Sequence, residues 1–370
     1  MIVFCFTLMY MIGIGNVYIA NILYYILLIR DILKTGRLRI KSNAYSKALY
    51  ILFIFWVTIS TVSSINDYDF NFRSVIQYIF TLQCIILILP IGLNEVKFES
   101  WIYRFSIMVS MLILILYAYF LYISPEVLLN DLWGDNYIPG WPNSTPIPLL
   151  VGLWLSFKNK QNFLGKMIIY TALFITTSRI ALLGGFVIAF YFIFKKSLIS
   201  LKYKLILVGA IAILSIGINY LIVRDPFIIA KATVSWDRID IFRTTMSYLE
   251  LHPFLGFGGR TLDQLISVKT NYIPFQNWGH THNWVLEMLL RYGIIGMLLF
   301  SGYLLSIYVK IRNHDKKFMF LLMVGMALFQ TYIRDFVFLF FLHYLSTDMS
   351  VTNKSNHNTN SDYELIIKGE

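Results

Sequence analysis

Apolar residues fill the chain in long runs divided by short polar stretches. Many of these runs reach about 18–25 residues, long enough to cross a hydrocarbon core of about 30 Å. They fall near 3–29, 46–64, 74–93, 101–123, 145–157, 163–177, 180–194, 202–222, 284–309, 317–333 and 336–346. GIGN at 13–16 offers a break within the first. Peptide groups in lipid must bond internally, and runs of this length do so as helices rather than barrel strands. The pattern predicts an all-α, polytopic transmembrane bundle of about 10–12 spans.

The segments between runs alternate in charge. Loops 30–45, 94–100, 158–162, 195–201 and 310–316 carry clusters such as Arg30, Lys34, Arg37, Arg39 and Lys41, or Lys195 and Lys196, or Lys310, Arg312 and Lys316. The alternate set is 65–73, 124–144, 178–179, 223–283 and 334–335. Within it, 124–144 holds Glu126, Asp131 and Asp135 and no Lys or Arg. Basic loops stay on the cytoplasmic side, so the first set is cytoplasmic and 223–283 is one large external loop. Residues 1–345 form a single transmembrane domain on this reading. The Asn- and Ser-rich tail 346–370 is expected to be a disordered cytoplasmic end. No charge precedes Arg30, so a cleaved signal peptide is not expected. Neither a repeat of about 20–50 residues nor the inverted halves common in secondary transporters stands out.

Composition agrees with the pattern. Of 370 residues, 58% are hydrophobic and 14% charged, with a mean hydropathy of +0.65. The net charge of +11 would suit nucleic acid if it were gathered on one face. It is instead divided among short loops, so no nucleic-acid partner is expected. Cys5 and Cys84 both lie in apolar runs, which leaves no disulfide framework and no cysteine metal site.

Candidate chemistry gathers in the external segments. Arg179, in TTSRIALLGG (176–185), sits between two runs, where a guanidinium is costly unless it is paired or faces water. The alternative is a snorkelling arginine at a helix end. In GWPNSTP (140–146), Trp141 is a simple interfacial aromatic and Asn143 with Ser144 a helix cap. In SWDRIDIFRTTMSYLELHPFLGFGGRT (235–261), Ile239, Phe242, Met246 and Leu249 fall on one helical face. Ser235 is a candidate N-cap and Pro253 a stop. An amphipathic interfacial helix over about 235–251 follows. GFGG reads as a tight turn; no Gly-Lys-Ser/Thr follows it, which excludes a phosphate-binding P-loop. Arg238, Arg243 and Arg260 stand outside against the positive-inside bias. Guanidinium forks match phosphate and diphosphate oxygens.

WGHTHNWVLEMLLRYGIIG (278–296) brings His280, His282 and Asn283 to the edge of a run. His-x-His without a nearby Cys or carboxylate cluster makes a poor zinc site, and no metal or cofactor is expected. With a helix starting near His282, Asn283, Glu287 and Arg291 stack on one face, and Glu287–Arg291 is ordered for an ion pair. His282 would then lie at the positive end of the helix dipole, which favours neutral imidazole. A neutral ring accepts a proton, as a general base must. The bland alternative is a histidine in the headgroup layer.

Taken in order, TSRIALL, SWDRIDIFR, HPFLGFGGRT and HTHNWVLEMLLRYGIIG resemble the O-antigen ligase and O-antigen polymerase superfamily over roughly residues 140–310. The resemblance implies a glycosyltransferase-C-like fold in the bacterial inner membrane, with its active site on the periplasmic side. It further implies undecaprenyl-diphosphate-linked oligosaccharide as substrate, the lipid bilayer as surroundings, and a chain-length regulator and flippase as partners. Ser178–Arg179, Arg238 and His282–Asn283 match the family's positions. His282 is thereby the implied base, and Arg179 and Arg238 the implied holders of the diphosphate. Arg243, Arg260, His280, Asn283, Glu287 and Arg291 are the further substrate-binding candidates. The chain departs from the pattern at its start, where relatives often carry additional helices. Polymerase is the favoured activity, since lineage-specific polymerases are commonly this rich in Ile, Tyr and Phe; ligase is the near alternative. A transporter or flippase is the remote one, because transporters place their binding residues near the midplane.

Overall fold

The computed structural model describes residues 44–63, 95–123, 146–176, 179–195, 241–258 and 283–328, with 262, 265, 281, 341–342 and 344–345. The expected spans at 3–29, 74–93 and 202–222, the GWPNSTP stretch, Ser235 and the tail lie outside the described residues. The longer described helices are α1 (Ala44–Ser63), α2 (Glu95–Ile123), α3 (Pro146–Lys158), α4 (Phe163–Ile175), α5 (Arg179–Lys195), α6 (241–249), α7 (Trp284–Lys310) and α8 (His314–Met326), and 341–342 and 344–345 are helical as well. Among the described residues there is no strand. Among the described residues, two helices are long and apolar enough to cross a membrane, α2 from Glu99 onward and α7, with 25 and 27 residues. The apolar helices α3 and α4 have 13 residues each, and at 1.5 Å per residue each spans about 20 Å.

Local sequence sets the ends. Pro146 and Pro148 lie in the first turn of α3, where a missing N–H has no helical acceptor to disappoint. Asn162 caps α4 by accepting from Gly165 N–H, and Asn313 caps α8 by accepting from Asp315 and Lys316 N–H. That cap starts α8 at residue 314, ahead of the apolar run at 317. The helix stops at Met326, short of the expected 333, because the chain turns at 327–328. There the Ala327 carbonyl accepts from Trp284 N–H at 3.1 Å.

Side-chain contacts sort the helix ends into two layers. Glu99 at the start of α2 accepts from Lys158 Nζ, Asn159 Nδ2 and Tyr344 Oη. Asp315 on α8 accepts from Lys195 Nζ and Tyr191 Oη of α5. The loops around residues 95–100, 158–162, 195 and 310–316 therefore share one end of the bundle. The sequence placed those same loops together by charge. At the other end lie Ser63, Thr176, Asn283 and Ala327, the starts or ends of α1, α4, α7 and α8.

Helices in lipid gain little from hydrophobic burial against one another, so close packing and interhelical bonds hold them. Gly152 of α3 lies against Ser106 of α2, where an added Cβ would meet the Ser106 Cβ at 2.2 Å. At the same crossing Ser106 Oγ donates to the Pro148 carbonyl at 2.6 Å. Gly184 brings α5 against Leu150 of α3 and Met326 of α8. Phe53 of α1 packs between Tyr292 and Phe300 of α7, with centroids 6.1 and 5.1 Å away.

Candidate functional site

At the end opposite Glu99, α7 is broken. Gly293 has φ 64° and ψ −171° within an otherwise helical run, a conformation close to glycine-only. A regular helix would bond Ile294 N–H to the Leu290 carbonyl. Instead the turn at 253–258 is spliced into that bond. Ile294 N–H donates to the Pro253 carbonyl at 2.8 Å, and Phe257 N–H donates to the Leu290 carbonyl at 2.9 Å. The two backbones touch: an added Cβ at Gly293 would lie 2.0 Å from the Phe254 oxygen. At Gly256 (φ 67°) it would lie 2.5 Å from the Arg291 carbonyl carbon. Glycine is required at both positions by conformation and by space.

The remaining carbonyls freed by the break are met from α1. Trp56 Nε1 donates to the Tyr292 carbonyl at 2.8 Å. Ser60 Oγ lies 3.0 Å from the Arg291 carbonyl and 2.5 Å from that of Leu255. Backbone groups released from a helix and shielded from water need partners from other protein groups. Here α1 and the 253–258 turn supply them.

The first half of α7 and the chain leading into it form a polar knot. Asn283 Oδ1 accepts from Val285 and Leu286 N–H, which caps the helix. The expected Glu287–Arg291 pair is present, with Arg291 Nε 2.6 Å from Glu287 Oε1 and the side chains 2% and 1% exposed. Glu287 Oε2 accepts from Thr281, whose N–H lies at 3.2 Å and hydroxyl at 3.1 Å. The same hydroxyl is 2.8 Å from the Asn283 carbonyl, so its one proton is shared between two acceptors. Burial of this pair is stabilising only with such additional bonds, because two desolvated charges alone roughly cancel their attraction.

The candidate residues are described unequally. Arg179 is the first residue of α5, and five residues on Gly184 touches the Met326 side chain near the end of α8. The Ala327 carbonyl beside Met326 in turn receives Trp284 N–H. The starts of α5 and α7 therefore meet the end of α8 at one end of the bundle. Arg243 is exposed on α6. Asn283 is half-buried, with its side-chain Oδ1 occupied as a cap; Glu287 and Arg291 are buried. Arg238, Arg260, His280 and His282 lie outside the described residues.

α6 packs on the protein through Leu249 of the expected stripe together with residues beside that stripe. Ile241, Thr245, Tyr248 and Leu249 are buried, while Phe242 is 49% exposed. The reason is its partner: Ile241 and Tyr248 cluster with Phe257, Leu262, Leu265 and Leu290, so the face is set by the spliced turn and by α7. Tyr248 Oη donates to the Leu265 carbonyl at 3.0 Å. Sequence reasoning took the glycines of GFGG for a turn, but missed Thr281, Ser60, Trp56 and the break at Gly293. An isolated glycine in an apolar helical run was the available signal for the last.

These contacts tie the segment that follows α6 to the first half of α7, a helix whose cap directly follows His282 in sequence. A helix N-terminus beside guanidinium groups stabilises negative charge, and a neutral imidazole there takes up a proton. No curated protein matches the chain. Residues 164–301 match a family model described as O-antigen ligase. That segment runs from α4 into α7 and includes the arginines, both histidines, the spliced turn and the Gly293 break. This match, over less than half of the chain, makes that segment similar to the O-antigen ligase family.

Proposed function

We propose that the chain is a polysaccharide polymerase of the bacterial inner membrane that joins undecaprenyl-diphosphate-linked repeat units on the periplasmic side. The carrying observation is the family match over 164–301, which contains every residue the chemistry needs. The full bundle of about 10–12 spans belongs to this proposal, as does the outward orientation, which rests on the Lys and Arg of the loops.

An acceptor sugar hydroxyl attacks the anomeric carbon of the donor glycan. His282 takes the proton from that hydroxyl as the new glycosidic bond forms. The bond from the anomeric carbon to the diphosphate oxygen breaks, and polyprenyl diphosphate departs with the electron pair. Direct displacement inverts the anomeric centre. Arg179 and Arg238 face the charge that develops on the leaving diphosphate, with Arg243 and Arg260 as further cations. Fixed donors aimed at developing charge supply much of an enzyme's acceleration, and diphosphate is already a good leaving group, so the reaction needs no metal. The site stands at the membrane edge because the substrate does: its prenyl tail is in lipid and its sugars are in water.

A ligase reading, with a lipid A-core or another acceptor in place of a second repeat unit, is favoured by the description of the matched family. Glycolipid analysis of a deletion strain separates the two. Single lipid-linked repeats accumulate without a polymerase, and long lipid-linked chains accumulate without a ligase. Complementation with His282→Ala should give no polymer ladder while the protein still inserts in the membrane; a normal ladder would remove His282 from the role of base. Arg179→Lys and Arg238→Lys should restore function only in part, since the planar fork is lost.

A further inference from the structure

The buried knot at the start of α7 has a geometry that a plain helix cap does not require. Asn283 alone satisfies two N–H groups of the first turn. Yet a carboxylate one turn into the helix reaches back past the cap to residue 281. Glu287 Oε2 accepts both the main-chain N–H and the hydroxyl of Thr281, while its Oε1 is held by Arg291. All three side chains are buried. The chain is thus fixed at 281 by the carboxylate and at 283 by the cap, on the two sides of position 282. Arg291 is anchored in turn, because its own carbonyl meets Ser60 beside the Gly293 break.

We infer that Thr281, Glu287 and Arg291 are positioning residues for His282. This rests on the proposed role of that histidine as base. The carboxylate holds the residue before the histidine, and the arginine fixes the carboxylate and balances its charge. The Thr281 hydroxyl ties that carboxylate to the capping residue after the histidine, through the Asn283 carbonyl. Base catalysis depends on placing one ring nitrogen within hydrogen-bond reach of the acceptor hydroxyl. Small misplacements of a reacting group are expensive, with displacements of about 1 Å able to cost about a hundredfold.

Thr281 is the position to test, because removing Glu287 or Arg291 leaves its partner's charge buried and threatens the fold. Thr281→Val keeps the side-chain shape and the main-chain N–H but removes the hydroxyl; Thr281→Ser restores it. Full-length protein in nanodiscs is assayed with lipid-linked oligosaccharide for kcat and KM. In parallel, the rate at which diethyl pyrocarbonate carbethoxylates His282 is followed by tandem mass spectrometry of its peptide. The expected result for Thr281→Val is a kcat about 10–100-fold lower at little-changed KM, with an altered His282 carbethoxylation rate. Thr281→Ser should behave as the unsubstituted protein in both assays. Positioning is overturned if Thr281→Val leaves kcat and the carbethoxylation rate unchanged, or if Ser fails to rescue. An unsubstituted protein without transfer activity would sink the proposed reaction. The carbethoxylation rates of the two variants would still decide the positioning.

Discussion

The two ends of the bundle handle buried polarity in opposite ways. At the end holding Glu99, regular helices are pinned by side chains reaching between loops: Glu99 to Lys158, Asn159 and Tyr344, and Asp315 to Lys195 and Tyr191. At the end holding Asn283, a helix is broken and its main chain is repaired by a turn and by α1. The first arrangement joins elements that would be helical anyway. The second keeps backbone in a conformation that no isolated segment would hold. Backbone held in such a sparsely populated conformation persists only where the surrounding structure determines it.

The largest expected effect comes from undoing the splice. Gly293→Ala puts a methyl group against the Phe254 carbonyl at a φ that alanine avoids. It should lower stability by at least about 3 kcal/mol. Fluorescence-detected size exclusion after heating would show this as loss of the monodisperse peak; an unchanged profile would mean that the turn and the break do not interlock.

Charge removal then distinguishes the ends. Glu287→Ala leaves Arg291 buried without its carboxylate and should cost about 3–5 kcal/mol. Glu99→Ala should cost less, about 1–3 kcal/mol, because Lys158 is 18% exposed and can turn towards surrounding water or headgroups. Thermal unfolding of the two variants side by side gives the order, and a reversed order would contradict the contrast between the ends. The smallest effect should be that of Lys195→Ala. Its side chain is 50% exposed, and an exposed pair of this kind contributes about 0–1 kcal/mol.

Much of the described fold is legible in the pattern of apolar runs. The expected runs at 46–64, 101–123, 145–157, 163–177, 180–194 and 284–309 each lie on a described helix, with boundaries a few residues apart. The Glu287–Arg291 pair is legible as well, since four residues are one turn and the partners must meet if the helix forms. The face by which α6 packs on the protein was legible only in part, at Leu249. Ile239, Phe242, Met246 and Leu249 make as good a stripe as Ile241, Thr245 and Tyr248, and the choice falls to Phe257 and Leu290 on other elements.

Local spacing thus determined the helices, the sorting of their ends by charge, and the ion pair within one turn. Only the assembled chain decided where α7 breaks. The carbonyls released there find Ser60 and Trp56, 231 and 236 residues away in sequence, and a turn that enters the gap between Leu290 and Ile294. Each bond is closed by groups whose meeting depends on three elements packing at once. A glycine in an apolar run reports permission for such a break, and the partner backbone pressed against it supplies the reason.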